Sequence, residues 1–338
     1  MITKFRGEEY IMHRHQDGPI LTVEDFPVPA QAVFNCGQIM HEGKYLLLIA
    51  AYYQKPLNGN MTGIHVATSE DGVHFDINPE PLFKKRDWAG DCPGKYDNWV
   101  IDPRVTKIED TYYVVRPAQV PGLGAAAVLE KTKDFKTAEF VECIAMPGNR
   151  VPCLFPEKIN GDYVRLDRPY NIVRVDPPGH RLDDQLKAGI WMSYSPDLIH
   201  WGRHRPLFNP PLSFANYKLG PTPPIRTKDG WLEIIHGVYK ENREWCYSLG
   251  AMLLDINDPS KILGVLDKPI LTPNFPYEYE GREENVVFAC GAIVNEEKDE
   301  IRIYYGAADT CIGLATGSLT ELLEELKKSP NPHVRDDI

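Results

Sequence analysis

GIHVATSEDGVHF (Gly63–Phe75) sets the reading of the chain: a short apolar strand runs straight into a polar Ser-x-Asp turn. The same figure returns in AAAVLEKTKDFKTAEF (Ala125–Phe140) and in GIWMSYSPDLIHW (Gly189–Trp201). The turn residues Ser69, Thr132 and Ser195 stand two equal steps of 63 residues apart. A third step reaches Asp258 in AMLLDINDPSKIL (Ala251–Leu263), where the match is looser. Self-similarity at a fixed period is the mark of a repeat architecture.

Upstream of each turn lies a second shared pattern, a strand that passes through a charged or glycine-containing turn into an aromatic-rich strand. Its five copies are FNCGQIMHEGKYLLLIAAYY (Phe34–Tyr53), IDPRVTKIEDTYYVVRPA (Ile101–Ala118), CLFPEKINGDYVRLDRPY (Cys153–Tyr170), PTPPIRTKDGWLEIIHGV (Pro221–Val238) and VVFACGAIVNEEKDEIRIYYGAAD (Val286–Asp309). β-Branched and aromatic runs flanking Gly, Asp, Asn and Glu turns read as antiparallel hairpins. One short helix is expected, over Leu319–Leu326. Units of about four strands with no helical layer predict an all-β fold, a five-bladed β-propeller, in which radial repetition protects the sheet edges. A β-sandwich is the competing architecture, and it does not require even spacing. No break in composition divides the 338 residues, so one propeller domain is expected over 1–338.

Composition narrows the function. The net charge is −11 and the Lys and Arg residues form no dense run, so the positive stripe that replaces counterions on nucleic acid is missing. The longest apolar run, about Tyr45–Tyr53, is too short to cross a bilayer. The opening MITKFRGEEYIMHRH lacks the apolar stretch of a signal peptide. The seven cysteines are odd in number and never form C-x-x-C, which argues against a disulfide framework or a zinc site. No H-E-x-x-H or EF-hand spacing appears, and no metal is expected. The cytoplasm is the expected compartment.

If each unit is a blade with its first strand nearest the axis, the starts of those strands converge on one mouth of the channel. Ten positions before the aromatic that opens each second strand, Tyr45 leads to Asn35, Tyr112 to Asp102, Tyr163 to Cys153 and Trp231 to Pro221. The neighbourhood is polar for strand starts: Asn35, Asp102 with Arg104, Asn149 with Arg150, Lys218, and in the fifth unit Glu283, Glu284 and Asn285. The second strands carry their own misfits, Arg116, Arg168 and His236, with Asp309 following IYYGAA. Polar side chains in apolar runs are costly unless paired. Each has a plainer reading. Asp before Pro is commonly a turn former, a strand His is commonly a satisfied core residue, and strand-end cations commonly make weak surface pairs. Together, in register, they predict a polar, partly cationic pocket for a sugar or an anion.

The chain resembles glycoside hydrolase family 130, the β-mannoside phosphorylases and related β-mannosidases. The likeness runs from about Val33 to Leu314. It rests on Phe34-Asn35, IDPRVTKIEDTYY, NRVPCLFPEKINGDYVRLDRP, SPDLIHWGRHR, YKLG, GWLEIIHGV, CYSLGAMLLD with a following DPSK, YEYEGREENVVF and IYYGAADT. The resemblance implies a five-bladed propeller in which Asp102 is the catalytic acid. It implies a phosphate site of Arg150, Arg168, Lys218, His236 and Tyr247, and sugar contacts at Asn35 and Asp309. Arg104, Glu283 and Glu284 are further candidates for the substrate site.

An inverting glycosidase needs an acid and a carboxylate base that activates water. A phosphorylase brings an anionic nucleophile of its own and needs cations to hold and aim it. The cation set therefore favours phosphorolysis of a β-linked mannoside to α-mannose 1-phosphate, with inorganic phosphate as co-substrate and no other cofactor. Two readings stay open: an inverting β-mannosidase using Glu283 or Glu284 as base, and a sugar-binding propeller without catalysis. The expected partners are a small oligosaccharide and phosphate, with no nucleic acid and no membrane; a homo-oligomer stays open. The chain also departs from the family pattern. Ala50 and Ala51 stand where many members have an Arg, LGPTPPI after Lys218 is a residue short, and GREE precedes Asn285. The insert from Arg86 to Asp97 and the loop from Ile172 to Lys187 are expected to rim the pocket.

Overall fold

The computed structural model describes residues 7–8, 10–86, 97, 99–120, 124–169, 188–241 and 244–330. Its strands form five separate antiparallel sheets arranged as the blades of a propeller. The first blade is β2 (Ala30–His41), β3 (Lys44–Leu57), β4 (Asn60–Ser69) and β5 (Asp76–Ile77), after a short β1 (His13–Arg14). The second is β6 (Arg104–Ile108), β7 (Thr111–Val120), β8 (Gly124–Thr132) and β9 (Glu139–Ala145); the third is β10 (Cys153–Leu154), β11 (Tyr163–Asp167), β12 (Ile190–Ser195) and β13 (Gly202–Phe208). In the fourth and fifth blades the innermost strand is broken in two. The fourth comprises β14 (Lys218–Gly220), β15 (Ile225–Thr227), β16 (Gly230–Glu241), β17 (Glu244–Leu254) and β18 (Ile262–Val265). The fifth comprises β19 (Val287–Ala289), β20 (Ile293–Asn295), β21 (Glu300–Ala307) and β22 (Cys311–Ser318). First strands of the fifth, first, second and third blades meet in turn, β19 with β2, β2 with β6 and β6 with β10, which places them around the axis.

The repeating turns share one chemistry. Ser69 Oγ accepts from Gly72 N, Thr132 Oγ1 from Phe135 N, and Ser195 Oγ from Asp197 N. In the first and third blades the turn Asp also caps the backbone and imidazole of the His three residues on, Asp71 to His74 and Asp197 to His200. Short side chains that bond their own backbone hold the chain in a turn at little cost. The hairpins use left-handed pairs at Asn58-Gly59 (φ 50° and 81°) and Asn160-Gly161 (φ 52° and 90°), the backbone that suits the twist of two-residue connections.

The ring closes on the N-terminal segment. β1 pairs with β22 and so becomes the outermost strand of the fifth blade. Arg14 clamps it there, donating from Nε and Nη2 to the two oxygens of the buried Glu278 at 2.6 and 3.1 Å. Glu278 also accepts from the backbone of Asn274 and Phe275 and from the hydroxyl of Tyr305. It sits in a single helical turn, α1 (Pro276–Tyr279). The expected C-terminal helix is present as α2 (Leu319–Lys328), capped by Ser318 and packed through Leu319, Leu322, Leu323 and Leu326 over β17, β18 and β22. Full burial of a leucine contributes about 1.5–3 kcal/mol, so this stripe fixes the helix against the fourth and fifth blades.

Candidate active site

The mouth of the channel opens into a cavity of about 530 Å³. Three acidic or amide residues face one another there, each on left-handed backbone: Asn35 (φ 43°), Asp102 (φ 50°) and Asp309 (φ 48°). Left-handed φ is uncommon outside glycine and is easiest for Asn and Asp. At Asn35 the pairing of β2 with β3 slips between Phe34 and Gly37, and such an irregularity re-aims a side chain. Asn35 Nδ2 donates to Asp102 Oδ1 at 2.9 Å and to Asp309 Oδ1 at 3.4 Å. Close packing requires Gly306 beside it: a Cβ there would lie 2.1 Å from Asn35 Oδ1.

Asp102 is 2% exposed and lies against the Arg150 guanidinium through Oδ2. Burial alone would raise its pKa, but the charges of Arg150 and Arg104 and the hydrogen bonds from Asn35 and Arg150 outweigh it and hold the carboxyl below its ordinary value. Asp309 responds the other way. Enclosure, then the negative charges of Asp102 and Glu283, push it up to about 7 against the pull of Asn35 and Arg150.

The cations come from the third and fourth blades. Arg150, Arg168 and Lys218 line the cavity with Tyr247. Lys218 Nζ donates to the Tyr247 hydroxyl at 2.7 Å. Burial, then the nearby positive charges of Arg168 and Arg150, depress the Lys218 pKa well below its usual value, opposed by Asp102 and Glu283. A buried lysine beside two guanidiniums is a group whose charged form an added anion would favour.

Several sequence expectations change at this point. His236 does not line the cavity. It is fully buried behind Arg168, with Nε2 2.7 Å from Arg168 Nη1. Arginine can only donate, so Nε2 accepts, and burial with four surrounding cations keeps this histidine neutral. His236 therefore positions Arg168. Arg104 also lies outside the lining; it is 1% exposed, donates to the backbone oxygen of Asp102 at 2.6 Å and rests over the Phe288 ring. It supports Asp102 from beneath and does not line the cavity.

Arg116 is no part of the site. It is buried in an ion-pair cluster with Asp97 and Glu130. The reason is parity: Arg168 and His236 lie five positions beyond Tyr163 and Trp231, whereas Arg116 lies four beyond Tyr112, and a one-residue offset in a strand turns the side chain to the other face. Cys153 and Pro221, although in the expected register, are internal: the Cys153 thiol bonds the Pro221 carbonyl. Asn149 holds Asp167 and the backbone N of Arg168 instead of facing the mouth. Glu283 and Glu284 line the cavity from its exposed rim. Ala50 and Ala51 are buried, and beside them Arg282 lies 4.2 Å over the Tyr52 ring, bringing a guanidinium to that wall. Most of the insert from Arg86 to Asp97 and the loop from Ile172 to Lys187 lie outside the described residues.

The sequence reading missed the aromatic wall formed by Tyr52, Trp99, Tyr217, Trp245 and Phe288. Trp99 sits under Arg150 at 5.4 Å, and Lys240 lies between Tyr217 and Trp245 at 5.1 and 4.9 Å. The signal was adjacency. Trp99 precedes Asp102 by three residues, Tyr217 precedes Lys218, and Trp245 shares a strand face with Tyr247.

A family model described as β-1,4-mannooligosaccharide phosphorylase matches residues 10–328. The chain belongs to glycoside hydrolase family 130. Family 130 relatives include a β-1,4-mannooligosaccharide phosphorylase of Ruminococcus albus, 32% identical over 94% of this chain and 91% of its own length. A β-1,2-mannobiose phosphorylase of Listeria innocua is 38% identical over 79% of this chain and 70% of its own. The solved complex of a Listeria innocua β-1,2-mannobiose phosphorylase with β-1,2-mannobiose superposes with a TM-score of 0.75 at 30% identity, covering 95% of this chain and all of that one.

Proposed function

We propose that this family 130 protein is an inverting phosphorylase that cleaves a β-linked mannoside with inorganic phosphate and releases α-mannose 1-phosphate. One observation carries the reading: Arg150, Arg168 and Lys218, with Tyr247, gather in the same cavity as the buried Asp102. The acid protonates the departing glycosidic oxygen. The guanidiniums and the ammonium offset the phosphate charge and aim one oxygen at the anomeric carbon from the opposite face. Two arginines offer fork-shaped donor pairs and the lysine a compact charge. Asn35 and Asp309 hold the mannosyl unit, and the aromatic wall stacks on the sugar that leaves. The names of the Ruminococcus and Listeria relatives support phosphorolysis of β-mannosides.

The whole chain serves as one catalytic propeller. No described helix is long and apolar enough to cross a membrane, and the described cysteines are free thiols, which suits the cytoplasmic compartment we assign. Hydrolysis would need Glu283 or Glu284 to poise a water across the ring from Asp102. Both stand at the solvent-exposed rim, while the cations occupy the depth of the pocket.

The test is sugar release from β-1,2- and β-1,4-mannobiose with and without phosphate, for wild type and Asp102→Asn. Release that needs both phosphate and Asp102 supports the reading. Equal release without phosphate removes it, and turnover that survives Asp102→Asn removes the acid assignment.

A further inference from the structure

Before phosphate arrives, Asp102 has little capacity to act as an acid. Arg150 lies on one of its oxygens and Asn35 donates to the other, and opposite charge and hydrogen bonds to the charged form both favour the carboxylate. An ionised Asp102 has no proton to give. A second carboxyl stands within reach of the same amide: Asn35 Nδ2 is 2.9 Å from Asp102 and 3.4 Å from Asp309. Asp309 is half-buried, and among the described residues it makes no salt bridge of the kind that Arg150 makes with Asp102. Two carboxyl groups brought together around one donor titrate as a pair.

We propose that Asp102 and Asp309 hold one proton between them across the Asn35 amide, and that phosphate, on engaging Arg150, hands it to Asp102. The inference rests on the phosphorylase reading. In the empty site the proton belongs to Asp309, which enclosure and the charges of Asp102 and Glu283 raise to about 7, with Asn35 and Arg150 opposing. Phosphate draws the Arg150 guanidinium to itself and adds negative charge, and both effects make Asp102 more basic. The proton passes from the Asp309 carboxyl to the Asp102 carboxylate. Asp102 then gives it to the glycosidic oxygen as the C1–O bond breaks and its electron pair goes to that oxygen, while a phosphate lone pair forms the new C1–O bond. The leaving sugar departs as an alcohol and both aspartates are left ionised. Asp309 takes a proton from solvent when the products leave. The acid is therefore armed only when the nucleophile is present, which disfavours attack by water.

The test compares wild type, Asp309→Asn and Asp309→Glu on β-mannobiose and on 4-nitrophenyl β-mannoside, both with phosphate. Asparagine keeps the shape and the polarity but carries no transferable proton. General acid catalysis contributes roughly 10²–10⁴-fold, so kcat for Asp309→Asn on β-mannobiose is expected to fall about 100-fold or more. The nitrophenolate leaves without protonation, so the aryl mannoside is expected to lose far less, and Asp309→Glu to recover part of the mannobiose rate. Equal losses on both substrates would mean that Asp309 only holds the sugar, and no loss on either would mean that it does neither; both results overturn the proposal. If wild type acts on neither mannoside, the phosphorylase reading falls and the proton pair with it, a result seen before any variant is made. Infrared spectroscopy of the wild type gives a check that does not depend on how the variants fold. A protonated-carboxyl band titrating near neutral pH, and shifting in frequency without vanishing when phosphate is added, is expected; no such band, or its loss on adding phosphate alone, overturns the proposal.

Discussion

Gly220→Ala places a single methyl group where it tests how Arg168 is held. Gly220 lies on β14 opposite His236 and does not have left-handed backbone, so alanine is free of backbone strain there. Its Cβ would come within 2.3 Å of His236 Cε1 and Nε2 and 2.8 Å of Arg168 Cδ. The imidazole is fully buried and cannot swing to solvent, so the Arg168–His236 pair must shift toward the cavity. Overpacking of this kind destabilises by about 1–3 kcal/mol. On the proposed reading, the functional loss is the charge-assisted contact of Arg168 with phosphate, about 1.5–3 kcal/mol. At about 1.4 kcal/mol per tenfold, that raises KM for phosphate roughly 10- to 150-fold. Initial rates at varied phosphate and saturating mannoside give the number, and thermal unfolding confirms a folded variant. KM for the mannoside is expected to stay close to wild type. A folded Gly220→Ala enzyme with wild-type KM for phosphate would refute the idea that His236 aims Arg168 at the anion.

Three further outcomes are expected. Arg116→Met leaves Asp97 and Glu130 buried without their shared cation, a loss of about 3–5 kcal/mol; urea unfolding should show it, while KM for phosphate of the folded fraction stays unchanged, in contrast to Arg168→Met. Arg14→Ala strands Glu278 at the ring closure and should lower stability by a similar amount, about 3–5 kcal/mol, with kcat preserved; an unchanged unfolding midpoint would contradict the clamp. Phosphate binding should take up a proton, because the Lys218 pKa is depressed in the empty cavity and an anion raises it. Calorimetry in buffers of different ionisation enthalpy, run between neutral pH and the ordinary lysine range and corrected for phosphate's own ionisation, measures this uptake. It should be smaller in Lys218→Met, most clearly toward the upper end of that range where the aspartates stay ionised, and no uptake in the wild type would contradict it.

The architecture was legible because blades repeat their turn chemistry. Ser69, Thr132 and Ser195 must each cap a turn, and a cap is a local, residue-specific demand that survives in the sequence. Closure of the ring was not legible. A two-residue strand, His13-Arg14, has no periodicity, and its partner Glu278 lies far along the chain. Asn35, Asp102 and Asp309 stood out because left-handed backbone at the mouth favours Asn and Asp, so conformation and chemistry selected the same residue types. Arg116 misled because composition ignores parity, and one position in a strand decides between a cavity and a buried ion pair. His236 and Arg104 were singled out as polar misfits; the structure buries both outside the cavity lining, one against Arg168 and the other beneath Asp102, and nothing in a linear sequence separates a residue that lines a cavity from the one packed behind it.

Phosphorus NMR of the reaction as it proceeds tests the shared cavity most directly. With β-mannobiose and phosphate, the resonance of a sugar 1-phosphate in the α configuration should grow in step with released mannose, one for one. Mannose accumulating with no phosphate ester, or a β-configured ester, would mean that the acid and the cation cluster do not work on opposite faces of one sugar.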